Sequence, residues 1–413
     1  MFKKNLLLFA LLGTQLFAQT LTLDSAIQKA LNTHPDIQKA TLVVHKNEKG
    51  VSLAKADYLP QVNLYAEYDP TKTYVLPTNG VFHTIDNDGY ILSATLHQKI
   101  WDFSKTTANI DAQKENIDIA KLSLEDAKAY LAYQVKLQYE LMLVQRSAIE
   151  VREKDLESKE ALYKQALAEV QQGMKTSADA TRFLSSFYVA KDNLAISQAN
   201  YEKARVSLSL YINENIPEDI ELEDTLELQI KEMNEQSIIH DSPSLNALKK
   251  GVQKSYLEHK SAKASHYGSI DGIASYSYQN TLNEYDSSLV GITLNIPLYS
   301  GGRISAQVEQ AEINRQSSQA EYSSKLLALR GEIESLLIDL KRYEKTIAAK
   351  NAQLDAATST YALLNARYKE GLSTYIEVLD ASALKLDAQL GLLNAKYERS
   401  SALHKLEYLQ GKI

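Results

Sequence analysis

The chain has 413 residues and a net charge of -7, with 15 Gly, 7 Pro, 25 Tyr and no Cys. The acidic balance speaks against nucleic acid as a partner, since a phosphate-binding surface needs clustered Lys and Arg. The missing cysteine excludes disulfides, thiolate metal sites, thiol nucleophiles and a lipidated N-terminal Cys.

Residues 1–18 read MFKKNLLLFALLGTQLFA. Lys3 and Lys4 precede a short apolar stretch, Leu6–Leu12, and Ala18 suits a cleavage site, so an export signal is expected. No later run of about 18 apolar residues exists, which excludes a transmembrane helix. From Thr22 a helix leads to two strands, Gln61–Tyr68 and Tyr90–Trp101. Asp86-Asn87-Asp88-Gly89 lacks the later acidic ligand of a calcium loop and reads as the turn into the second strand. A long helix, Ser104–Gln172, and a returning helix, Ser177–Ile212, complete a first repeat over 19–212. Residues 213–241 form an acidic linker, read as a solvated belt. The second repeat, 242–413, starts near Ser242. Its strands are Ser269–Tyr278 and Leu289–Leu298, its long helix Ile304–Glu370 and its returning helix Tyr375–Leu409. Each long helix would reach roughly 100 Å at 1.5 Å per residue. No proline lies between Pro77 and Pro217 or after Pro297 to interrupt these helices.

The two repeats match at a shift that drifts along the chain through small insertions. Val135, Met142, Ile149, Leu156, Tyr163 and Val170 recur every seven residues, and a shift of 198 turns them into Ile333, Leu340, Ile347, Leu354, Tyr361 and Tyr368. Gly173 becomes Gly371 at the same shift, and Tyr201 becomes Tyr397 at 196. A seven-residue repeat marks helices packed knobs-into-holes. The fold class is therefore mainly α with a small β part, built as an internal two-fold repeat.

The strands alternate. Val62 and Leu64 face one way and Asn63 and Tyr65 the other; Ile292 and Leu294 oppose Thr293 and Asn295. Apolar-out, polar-in alternation is the signal of an outer-membrane barrel, with Val62, Leu64, Ile292 and Leu294 facing lipid. Four strands cannot close a barrel, and an open edge in lipid is forbidden, so copies must combine.

Four stretches carry a family resemblance: Leu23-Asp24-Ser25-Ala26-Ile27-Gln28-Lys29-Ala30-Leu31 followed by His34-Pro35; Tyr58-Leu59-Pro60-Gln61; Ile296-Pro297-Leu298-Tyr299-Ser300-Gly301-Gly302-Arg303; and Arg367 through Ala381, RYKEGLSTYIEVLDA. Together and in order they resemble the TolC family of outer-membrane efflux factors, over essentially the whole chain beyond the export signal. The resemblance implies a homotrimer in the outer membrane with a 12-stranded β-barrel and a 12-helix periplasmic α-barrel. It also implies docking to a periplasmic adaptor (membrane fusion) protein and an inner-membrane transporter.

No catalytic constellation, metal ligand set or cofactor motif is found, and no enzyme activity or cofactor is expected. Gly173 and Gly371 permit the reversal at the end of each long helix, and Thr176 and Thr374 can cap the next. A docking role for these turns rests on the resemblance. So does a periplasmic gate made of Glu377, Asp380, Asp179 and Tyr368. Where well-known members carry Arg two residues after the second glycine, this chain has Ser373, and Lys175 is the candidate replacement. The expected function is a passive exit duct of a tripartite efflux or export system. A duct for type I protein secretion or for metal-cation efflux, and a soluble periplasmic coiled-coil scaffold, stay open as alternatives.

Overall fold

The computed structural model describes residues 20–78, 80–225 and 234–413; the expected export signal lies outside them. The elements in chain order are β1 (Thr20–Leu21), α1 (Leu23–Thr33), α2 (Pro35–Ala56), β2 (Gln61–Thr78), β3 (Val81–Trp101), α3 (Lys105–Gln171) and α4 (Ser177–Ile212), then β4 (Glu221–Leu222), α5 (Glu235–Asp241), α6 (Pro243–Ala264), β5 (Ser269–Asn280), β6 (Glu284–Asn295), α7 (Arg303–Lys369) and α8 (Tyr375–Leu409). The long helices α3 and α7 each contain 67 residues.

The chain forms two compact units, and each draws on both repeats. One contains residues 39–125 and 242–329. Its centre is an antiparallel sheet of order β2-β3-β5-β6. Tyr58 donates to Asp102 at 2.9 Å, and Asp102 accepts from the Thr106 amide at 2.8 Å, capping the start of α3. Lys250 on α6 pairs with Glu115 and Asp118 on α3, and Ser255 on α6 bonds Ser318 on α7 at 2.8 Å.

The other unit contains, of the described residues, 20–38, 126–225, 234–241 and 330–413. Here the heptad residues do what their spacing predicts. Val135, Met142, Ile333, Leu340 and Tyr368 are buried, and the rest of both series are half-buried. Tyr139 fastens the small parallel β1–β4 pair. Its hydroxyl donates to the Leu21 carbonyl at 2.7 Å and accepts from the Glu223 amide at 2.8 Å. Burial, then the neighbouring acids Glu223 and Asp224, push this phenol up to about 12.

The strand ends differ from expectation. β2 runs ten residues beyond Tyr68 and β3 starts nine residues before Tyr90, so Asp86–Gly89 is strand rather than turn. The polar residues there satisfy one another: Thr73 donates to Asp86 at 2.6 Å, and Asn87 to the Thr281 carbonyl at 2.6 Å. The reversal is at Gly80, whose φ is +82°. β5 runs two residues past Tyr278, and β6 occupies Glu284–Asn295 instead of Leu289–Leu298. Pro297, which lacks a donor and restricts the residue before it, accounts for the early stop. The acidic linker is not simply a solvated belt: it contains β4 and α5, and Ile216, Ile220 and Ile238 are buried. Residues 226–233 of it lie outside the described residues.

Candidate functional site: a two-faced sheet and two capped turns

The register settles which residues share a face of the sheet. Val62 pairs with Leu96 and Leu64 with Ala94; Ala94 pairs with Tyr276 and Leu96 with Ala274; Ala274 pairs with Val290, and Ile270 with Leu294. Directly opposed residues point to the same side. One face therefore carries Val62, Leu64, Leu92, Ala94, Leu96, Ala274, Val290, Ile292 and Leu294. The other carries Asn63, Tyr65, Ser93, Thr95, Ser275, Ser277, Thr293 and Asn295. Leu64 and Ile292 are 75% and 74% exposed in the chain, an unfavourable state in water for a contiguous apolar face.

Aromatic residues mark both ends of that apolar face. Toward the hairpin ends Tyr68, Tyr90, Tyr276 and Tyr278 share it, with the rings of Tyr90 and Tyr278 5.8 Å apart. At the opposite end Trp101, Phe103 and Tyr267 pack in series, edge-on at 6.3 Å and tilted at 5.5 Å. Paired aromatic girdles flanking an apolar band are the pattern of a barrel wall at two membrane interfaces. These aromatics were individually visible in the sequence, but only the register puts Tyr68, Tyr90, Tyr276, Tyr278 and Trp101 on one side.

The two turns are built alike. Gly173 and Gly371 are left-handed, at φ +77° and +74°. The Met174 amide reaches back to Glu169 O at 2.9 Å and Gly173 to Val170 O at 3.0 Å. Leu372 reaches Arg367 O at 2.8 Å and Gly371 reaches Tyr368 O at 3.0 Å. Both are Schellman ends, which satisfy the last free carbonyls of a helix. Thr176 and Thr374 then start the next helices as N-caps. The Asp179 carboxylate accepts from the Thr176 amide at 3.2 Å and its hydroxyl at 2.9 Å. The Glu377 carboxylate accepts from the same groups of Thr374 at 2.6 and 3.0 Å. Those bonds, the backbone one first, hold the Glu377 carboxyl below its usual range. Asp380 is exposed one turn further along α8.

Tyr368 lies inside the packing between the turns, 1% exposed, among Leu162, Ala166, Phe183 and Val378. Among the described residues its hydroxyl has no hydrogen-bond partner. Burial, then the charges of Glu169 and Asp179, push it up to about 12. Within the chain, Asp179 and Tyr368 are thus not bonded. Lys175 sits 5.0 Å above the Tyr368 ring, and Ser373 donates to the Leu364 carbonyl at 2.9 Å. Sequence reasoning missed Phe183, Arg182 and Tyr375. Arg182 bonds the Tyr375 hydroxyl and lies 5.0 Å over its ring, while Phe183 packs edge-on against Tyr368 and Tyr375. The sequence signals were their closeness to the turn glycines and, for Tyr375, its place in the stretch Arg367–Ala381.

A sheet with one apolar face, and capped turns at the ends of two 67-residue helices, are the make-up of an outer-membrane channel protein. The chain belongs to the outer membrane efflux protein family, whose pattern matches residues 26–214 and 235–412. It is 24% identical to the outer membrane protein TolC of Escherichia coli over 94% of this chain and 82% of that protein. It is 23% identical to the outer membrane efflux protein BepC of Brucella suis over 98% and 88%. The crystal structure of the outer membrane protein VceC from Vibrio cholerae superposes with a TM-score of 0.84 at 18% identity, covering 94% of this chain and 96% of that one.

Proposed function

We propose that three copies of this chain form one passive export duct, with twelve strands closing a barrel in the outer membrane and the helices lining a periplasmic passage. The observation that carries this reading is the sheet: its apolar face is bounded by aromatics at both ends, while β2 and β6 are left as open edges. An unpaired edge cannot stand in lipid, and β6 of one copy beside β2 of the next closes it. Exposed apolar residues on α4, Val189, Ile196 and Leu210, fall at multiples of seven and suit a helix from another copy.

The turns at Gly173–Thr176 and Gly371–Thr374 would meet a periplasmic adaptor. Glu377 and Asp380 of each copy would place carboxylates around the narrow end. The inner-membrane transporter would supply the energy. Fractionation followed by native mass measurement tests the reading. Detergent-dependent extraction at three times the mass of the chain freed of its export signal supports it. A soluble species obtained without detergent would instead favour a periplasmic scaffold.

A further inference from the structure

His404 on α8 is 2% exposed and has a carboxylate at each ring nitrogen. Its Nε2 lies 2.8 Å from Glu140 Oε1 on α3, and its Nδ1 lies 3.0 Å from Glu407 Oε2. The Ser400 hydroxyl donates to the same Glu140 oxygen at 2.6 Å, and Lys136 Nζ donates to the same Glu407 oxygen at 2.9 Å. Glu140 is fully buried, and its other oxygen has no hydrogen-bond partner among the described residues.

A neutral imidazole has one N–H and can donate to one carboxylate only. Its other nitrogen would then set a lone pair against the second carboxylate at hydrogen-bond distance. Imidazolium satisfies both contacts. The charges agree: with His404 protonated, Glu140 and Glu407 balance Lys136 and His404, and with it neutral one negative charge is left in excess. A buried charge without a partner is strongly unfavourable.

Packing does not require this cluster. At the shift of 196 that relates Tyr201 to Tyr397, Ser400 and His404 correspond to Ala204 and Leu208, both buried and apolar. The first repeat seats its returning helix with hydrocarbon where the second uses charge.

We propose that His404 is a buried imidazolium clamping the C-terminal part of α8 to α3, and that its deprotonation at alkaline pH releases the clamp. The groups around it are Glu140 and Lys136 from α3 and Glu407 from α8. Tyr397 faces Glu140, and Asp241 of α5 is engaged by Gln410. Burial opposes the imidazolium, but the hydrogen bonds to Glu140 and Glu407 outweigh it, so its pKa stands above the ordinary 6.5. Glu407, resisted by burial but bonded by His404 and Lys136, titrates near about 2. Because the folded pKa of His404 is raised, its stabilisation is complete below the unfolded value and is lost as pH rises through the folded one.

The test uses the full-length protein in detergent micelles with ¹⁵N-labelled histidine, the His404 signals being assigned by their loss in His404→Leu. Expected are imidazolium shifts for His404 at pH 7 and a thermal midpoint that falls between pH 6.5 and 9. The fall should be absent in His404→Leu, which copies Leu208. A neutral His404 ring at pH 6 would overturn the proposal, as would a wild-type midpoint that stays flat. If His404→Leu does not assemble, Glu140→Gln decides and supplies the assignment: removing one carboxylate should lower the His404 titration midpoint by about one unit. An unchanged midpoint also overturns the clamp.

Discussion

Ser104 and Gly302 stand 198 residues apart and hold the same left-handed backbone, at φ +71° and +82°. The residues before them, Phe103 and Gly301, do the same at +56° and +62°. These pairs join the last strand of each hairpin to its long helix. The second repeat meets the turn with glycine. The first keeps a side chain at both positions, and the Phe103 ring packs on Trp101 and Tyr267.

A Cβ in the left-handed region costs roughly 1–2 kcal/mol, against roughly 0.5–1 kcal/mol for the extra freedom glycine brings to the unfolded chain. Ser104→Gly is therefore expected to stabilise by about 0.5 kcal/mol, and Gly302→Ser to destabilise by a similar amount. Phe103→Gly should destabilise despite relieving its backbone, because it removes the aromatic contact. Thermal midpoints of the three variants check this. A lower midpoint for Ser104→Gly would mean that the joint is not strained.

Asp179 and Glu377 are equivalent in the two repeats, and each bonds the threonine that opens its own helix. Thr374→Ala should cost about 1 kcal/mol, appearing as faster amide exchange in the first turn of α8. Acid should act on the same turn. Glu377 has a depressed folded pKa, so its cap is intact above the ordinary carboxyl range and weakens as pH falls through the folded value. Exchange of the Val378 amide, corrected for its intrinsic rate, should rise with acid in the wild type and hold steady in Glu377→Gln. Equal acid response in both proteins would count against the capping role.

Long-period features were legible in the sequence, and contacts between remote residues were not. The starts of α4 and α8 follow from Thr176 and Thr374, which cap them. The alternation of Val62 and Leu64 with Asn63 and Tyr65 placed the apolar face correctly, because a strand has only two sides. The hairpin beyond Tyr68 was hidden since its residues, Asp69, Lys72, Asp86 and Asn87, are poor strand formers that pair only because their partners lie opposite. The turn glycines announced the tips, but not that Tyr368 would be buried there. His404 and Glu140 are separated by 264 residues, and nothing local marks either as buried.

The sheet makes a directional prediction about the membrane. Val290 lies on the apolar face midway between its two aromatic ends, and Ser275, next to its partner Ala274, lies on the polar one. Arg at a lipid-facing position near mid-bilayer costs about 2–4 kcal/mol, and far less toward a wet lumen. Val290→Arg should sharply reduce the yield of assembled protein in the outer membrane, while Ser275→Arg should assemble nearly normally. Comparable losses in both would reverse or abolish the assigned faces.

The tip carries the final prediction. Asp380 is exposed, whereas the carboxylates of Asp179 and Glu377 already accept bonds from their caps. In a trimer, three Asp380 and three Glu377 side chains would surround one axis, and a ring of carboxylates favours cations. The resting pore should therefore be cation-selective and blocked by multivalent cations from the periplasmic side. Glu377→Gln with Asp380→Asn should weaken both properties without changing trimer yield. Tyr368 should behave differently. Its hydroxyl is buried without a partner, so Tyr368→Phe should leave conductance nearly unchanged. Tyr368→Ala should loosen the tip by removing a core ring, at a cost of roughly 3–5 kcal/mol. Single-channel recordings decide both points. Unchanged reversal potentials in the double neutral variant would remove the acids from the gate. A marked rise in conductance for Tyr368→Phe would mean that its hydroxyl bonds across copies.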